Sequence, residues 1–176
     1  MASQTPAILV SADKLIGAAA TFLAFVGSLG IIGLVGITIV AVAWRYGLND
    51  PIFGIEDLSI VTLSIVAGAA VAYGARSNAH ISINVIRYLG GRGLTRYTDA
   101  VMRLLTLAIL ALATYALFTK ACGIEKACIT NNFSIEHRIF YYYLGVCIAI
   151  YSLHVLNHFL ISLWHFDGED PNEIAD

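Results

Sequence analysis

Four long apolar runs, at residues 15–43, 58–75, 101–118 and 139–163, set the limits on what this chain can fold into. Each is long enough to cross a ~30 Å hydrocarbon layer at about 1.5 Å per helical residue, allowing for tilt. Together they use most of the 176 residues, so no room remains between them for a soluble catalytic domain. Composition agrees, with 59% hydrophobic residues, 12% charged residues and a mean hydropathy of +0.78, far too apolar for a soluble domain of this size. The expectation is an all-α integral membrane protein with four transmembrane helices. Residues 1–176 would form one four-helix membrane domain, with 1–13 and 167–176 as mobile tails.

For such a chain the placement of Lys and Arg matters more than the net charge of −2. Lys14 precedes the first run, and Arg76, Arg87, Arg92 and Arg96 lie between the second and third. Arg45, Lys120, Lys126 and Arg138 fall on the opposite side. The excess of five over four and the dense arginine segment put both termini on the cytoplasmic side. A cleaved signal peptide is not expected, because the first apolar run is too long for a secretory h-region.

Gly27, Gly30, Gly33 and Gly36 recur every third residue in the first run and trace a smooth stripe suited to close helix approach. Glycine is also simply common in membrane helices. Glu56 and Asp57 open the second run, where the free amides of a helix N-terminus favour carboxylates. The middle of that run, around Gly68, Ala69 and Ala70, has little bulk to offer lipid, so it should be buried against protein. After Arg76 and His80, residues Ile81, Val85, Ile86 and Leu89 share one helical face. They predict a short interfacial amphipathic helix, broken at Gly90-Gly91-Arg92-Gly93. Arg87, Arg92 and Arg96 would meet lipid headgroups there, although positive-inside bias explains them equally well. Asp99 and Arg103 form an i,i+4 pair at the start of the third span.

The 119–138 loop falls outside in this topology, where Cys122 and Cys128 could form a disulfide or remain free thiols. Ser134 and Glu136 suit the start of the fourth span, and Tyr141, Tyr142 and Tyr143 face Trp164 across it as aromatic belts. His154, His158 and His165 lie on one face of that span, a spacing that could share a metal. A haem with two axial histidines would need another on a facing helix, and no other span contains one. Polar contacts with neighbouring helices are the simpler reading, so no metal, cofactor or catalytic residue is assigned. The chain lacks nucleotide-binding, nucleophile and zinc motifs, and no nucleic-acid partner is expected.

With these residues in hand, the chain resembles the small membrane subunit of tripartite ATP-independent periplasmic (TRAP) transporters, the DctQ type. The likeness covers the four-span layout and is sharpest at Glu56-Asp57-Leu58, Gly68-Ala69-Ala70, Arg76 and His80-Ile81-Ser82-Ile83-Asn84-Val85. Members typically show E-E-L, G-A-A and H-I-x-V-D-x-L there. This chain departs with Asn84 in place of an acid, no tryptophan in the second span and no proline near the start of the fourth. The resemblance implies a scaffold that braces a large DctM-type membrane subunit, with a DctP-type periplasmic protein delivering an organic acid and sodium driving uptake. Glu56, Asp57, Gly68, Ala69, Ala70, Arg76 and His80 become candidate subunit-interface residues. Two alternatives are a b-type cytochrome membrane anchor, on the strength of the span-four histidines, and a self-assembling membrane protein without a transporter partner.

Overall fold

The computed structural model describes residues 6–76, 85–119, 128–130 and 132–164, and for residues 85–96 the backbone alone. Four helices run in order: α1 (Ala7–Gly47), α2 (Ile55–Arg76), α3 (Val85–Thr119) and α4 (Arg138–Trp164). All four contain a stretch long and apolar enough to cross a membrane, as the apolar runs predict. Among the described residues the only extended pairing is one antiparallel bridge, Ile129 with Glu136.

Helix ends differ from the sequence reading in three places. α1 begins at Ala7, not near Leu15, so part of the expected N-terminal tail is helical. Pro6 precedes it, and the Pro6 carbonyl accepts from the amides of Leu9 and Val10 at 3.0 and 3.3 Å. Proline suits that place because its φ is already helical and it has no amide to leave unpaired. At 41 residues, α1 would be about 61 Å long if straight, so it must tilt or project from the bilayer.

The second difference is that α3 runs unbroken through Gly90-Gly91-Arg92-Gly93, where a break was expected. A glycine costs a helix about 1 kcal/mol, whereas an unpaired main-chain group away from water costs several. Continuing the helix is the cheaper arrangement at a membrane boundary. Residues 77–84, which carry His80 and the start of the expected amphipathic helix, lie outside the described residues.

The third difference is the start of α4. Ser134 has φ +53 and Glu136 sits in the bridge, so neither caps the helix; the His137 carbonyl accepts from Phe140 and Tyr141 instead. Within the spans, hydroxyl groups are satisfied locally. Thr21 donates to the Gly17 carbonyl, Ser59 to Ile55, Ser64 to Ile60 and Thr114 to Leu110, all at 2.8–2.9 Å. Such back-bonding lets a polar side chain sit at membrane depth without demanding a partner.

α2 and α4 form the middle of the bundle. α1 packs on both, and among the described residues α3 packs on α4 alone. The contacts are made by small side chains: Leu23, Ala69, Ala72 and Cys147 form the buried core, with Tyr143 and Ile150 against them. A Cβ placed on Gly27 would stand 2.7 Å from the Ala69 Cβ, and one on Gly30 would stand 2.8 Å from Val66. At Gly33 and Gly36 it would meet nothing within 4 Å among the described residues. Steps of three residues rotate a helical stripe by about 60° each time. The stripe therefore leaves α2 after Gly30 and ends on the open side of α1.

Candidate functional site

Two polar clusters and one apolar face stand out, each built by elements distant in sequence. The first cluster lies at the bundle end where α1 starts and α4 finishes. Asp13, on the second turn of α1, points its Oδ1 at His154 Nδ1 (4.0 Å) and His158 Nε2 (3.9 Å). Arg76, the last residue of α2, donates from Nη1 to the Asp13 carbonyl at 3.3 Å and lies over Gly17, where any Cβ would overlap the guanidinium. Asn157, 4% exposed, donates to the Leu9 carbonyl at 3.3 Å, and Arg103 of α3 donates to the His158 carbonyl at 3.3 Å. All four helices thus meet through polar groups at this end. His154 is about 15 Å along the helix from Trp164, deeper than an interfacial side chain needs to be.

The second cluster lies at the opposite end. Asp57, 3% exposed, does not serve its own helix's amides as expected; its Oδ2 accepts from the main-chain amides of Asn132 (2.9 Å) and Phe133 (2.7 Å). That turn is closed by Thr130 N to Ile135 O (3.0 Å), His137 N to Cys128 O (2.7 Å) and Ile135 N to Thr130 Oγ1 (2.9 Å). The Phe133 ring covers Gly54, whose φ of +77 suits glycine, and packs edge-on to Phe53 at 5.8 Å. Cys128 is disulfide-bonded and Cys147 is free and buried; Cys122 lies outside the described residues.

The apolar face belongs to α1. Phe22, Phe25, Leu29, Ile32 and Ile39 are 54–69% exposed and, with exposed Gly36, follow one another at alternating steps of three and four. Beside Gly36 lies an open groove of about 360 Å³, lined also by Val40, Ile52, Phe53, Leu58 and Phe133.

The candidate interface residues do not form one surface. Glu56 and Ala70 are exposed, but Asp57, Gly68 and Ala69 are buried inside the chain and Arg76 is half-buried against α1. Gly68 packs on Tyr143 and Cys147 of α4, so the small-residue centre of α2 is covered by this chain's own helices. Tyr143 is likewise no belt residue: its hydroxyl donates to the Ile65 carbonyl at 3.1 Å. His80, His165 and the side chains of Arg87, Arg92 and Arg96 lie outside what the structure describes.

The family model for the DctQ component of tripartite ATP-independent periplasmic transporters matches residues 34–164, from the middle of α1 to the end of α4. The chain belongs to the DctQ family. As a DctQ component it is part of a TRAP transporter, a multi-pass protein of the inner membrane, and the family is a transporter component rather than an enzyme family. That assignment takes the place of the cytochrome-anchor and self-assembly alternatives. Comparisons with curated proteins and with solved structures return no match. Within the DctQ chain, Asp13 and Asn157 are the polar residues that sequence reasoning missed. Asp13, beside Lys14 and just ahead of the first apolar run, reads as ordinary flanking charge.

Proposed function

We propose that this chain is the scaffold of a sodium-coupled TRAP transporter for organic acids, C4-dicarboxylates or related carboxylates. It braces a large DctM-type subunit, which moves the solute that a DctP-type periplasmic protein delivers. The observation that carries this reading is the exposed seam of α1, from Phe22 to Ile39. Its three-and-four spacing is the one by which a second helix packs alongside the first. Meanwhile Asp13, Asp57, Arg76 and Arg103 each engage partners on another element of the chain, which commits them to holding the bundle together. Non-catalytic bracing needs such a bundle; a solute path would need some of these groups for its cargo.

In this reading both termini face the cytoplasm and the 119–138 loop faces the periplasm, where it receives the binding protein. Glu56, Ala70 and His80 remain candidate contacts with the large subunit, and Arg87, Arg92 and Arg96 candidate contacts with lipid headgroups. The test is co-expression with the large subunit, purification through a tag on this chain, and reconstitution. A large multi-span protein should co-purify, and liposomes holding the small chain alone should be inert. Sustained ion-driven uptake by the small chain alone would overturn the proposal.

A further inference from the structure

The Asp13, His154 and His158 cluster has the composition of a metal site and a spacing close to that of one. The ligating atoms of all three residues lie within 4.8 Å of one another. Asp13 Oδ1 stands between two imidazole nitrogens at 4.0 and 3.9 Å, too far from either for a hydrogen bond. His154 Nδ1 is buried without a hydrogen-bond partner, in a residue 7% exposed. An orphaned nitrogen at that depth costs on the order of 1–3 kcal/mol, so its persistence calls for a ligand.

We propose that Asp13, His154 and His158 bind a transition-metal dication of the Zn2+ class. The donor set is two imidazoles and one carboxylate, which suits borderline metals; Mg2+ and Ca2+ prefer all-oxygen shells. With metal–ligand bonds of 2.0–2.2 Å, tetrahedral donors sit roughly 3.4 Å apart. Closing the Asp13 separations of 3.9 and 4.0 Å therefore needs a few tenths of an ångström on each side, and the two imidazole nitrogens, within 4.8 Å of each other, need at most about 0.7 Å each. His154 and His158 are one helical turn apart, with ring centres at 4.2 Å, and α1 supplies the carboxylate from the facing side. Three protein ligands leave one position for water or a partner's group. The Arg76 guanidinium nearby works against a dication, but its donated hydrogen bond goes to the main-chain oxygen of Asp13 and leaves Oδ1 for the metal. A bound ion would tie the first turns of α1 to α4, so it would stabilise the folded chain in proportion to its occupancy.

The experiment uses the full-length chain in detergent, stripped with chelator and titrated with Co2+ as a coloured stand-in and then with Zn2+ alone. The expected result is one equivalent bound, ligand-field bands of low-coordinate Co2+ that Zn2+ abolishes, and a melting temperature raised by Zn2+. Asp13→Asn and His158→Gln, at partly exposed positions, should keep the helical circular dichroism and weaken binding by about tenfold or more. His154→Gln adds a further check if it folds, although the other two variants suffice without it. No Co2+ bands and no bound Zn2+ would overturn the proposal. So would undiminished binding in the Asp13→Asn/His158→Gln double variant, which would place the metal on other histidines.

Discussion

Gly68 meets Tyr143 so closely that a Cβ on the glycine would stand 2.6 Å from the ring's Cε1. The ring cannot readily turn aside, because its hydroxyl is bonded to the Ile65 carbonyl and Cys147 Sγ would lie 3.2 Å from the same Cβ. Lipid offers apolar side chains the same surroundings that a neighbouring helix does, so helices in a membrane associate through close packing and polar bonds. The α2–α4 contact is made at that scale. The glycine therefore belongs to the internal architecture of the subunit.

Substituting Gly68 by Ala should cost about 1–3 kcal/mol through overpacking. Thermal unfolding of the purified chain in detergent would show it as a lowered midpoint, before any partner is involved. An unchanged midpoint would mean that Tyr143 yields more easily than its hydrogen bond implies.

Gly33 and Gly36 make the opposite case. A Cβ at either meets nothing within 4 Å among the described residues, and at Gly36 a longer side chain would extend into the open groove rather than into a packed contact. Gly33→Leu and Gly36→Leu should therefore leave the isolated chain folded with its midpoint unchanged. If the α1 seam is where the large subunit packs, the same variants should lose that subunit on co-purification. Retention of the large subunit by both variants would move the interface away from this face.

The contrast between these glycines shows what the sequence could and could not reveal. Spans were legible because the length of an apolar run is itself a physical requirement for crossing a bilayer. The small-residue centre of α2 was legible as a close-packing surface, but its partner was not: nothing local to Gly68 distinguishes a helix of another chain from α4 of its own. The spacing of His154 and His158 was visible, whereas Asp13 joins them only because α1 starts at Ala7 and folds back on α4. Asp57 illustrates the same limit. A carboxylate at a helix start has an obvious local use, yet the amides it receives lie in a turn that the sequence does not connect to it.

Asp57 should act as the clamp of that turn. Replacing it with Ala removes the acceptor for two amides at once and leaves them poorly paired beside a buried site. The amides of Asn132 and Phe133 should then exchange with deuterium roughly tenfold faster or more, while α4 itself keeps its protection. Asp57→Asn, which keeps a side-chain oxygen, should recover part of the effect. Equal exchange in wild type and Asp57→Ala would show that the disulfide at Cys128 and the Thr130 bonds hold the turn without it.

Arg138 separates folding from docking on the same side of the bundle. It pairs with Glu136 at 3.3 Å, but both side chains are about half-exposed, 47% and 52%, and such a pair contributes at most about 1 kcal/mol. Reversing the charges at Lys120, Lys126 and Arg138 together should thus leave helix content and melting close to wild type. If the loop receives the periplasmic protein, the reversal should slow transport by the complete system and flatten its dependence on salt, because exposed charges act mainly on the rate of encounter. Unchanged docking and transport in the triple variant would show that the binding protein is received elsewhere, with the loop's positive charges serving only to keep that side of the chain in water.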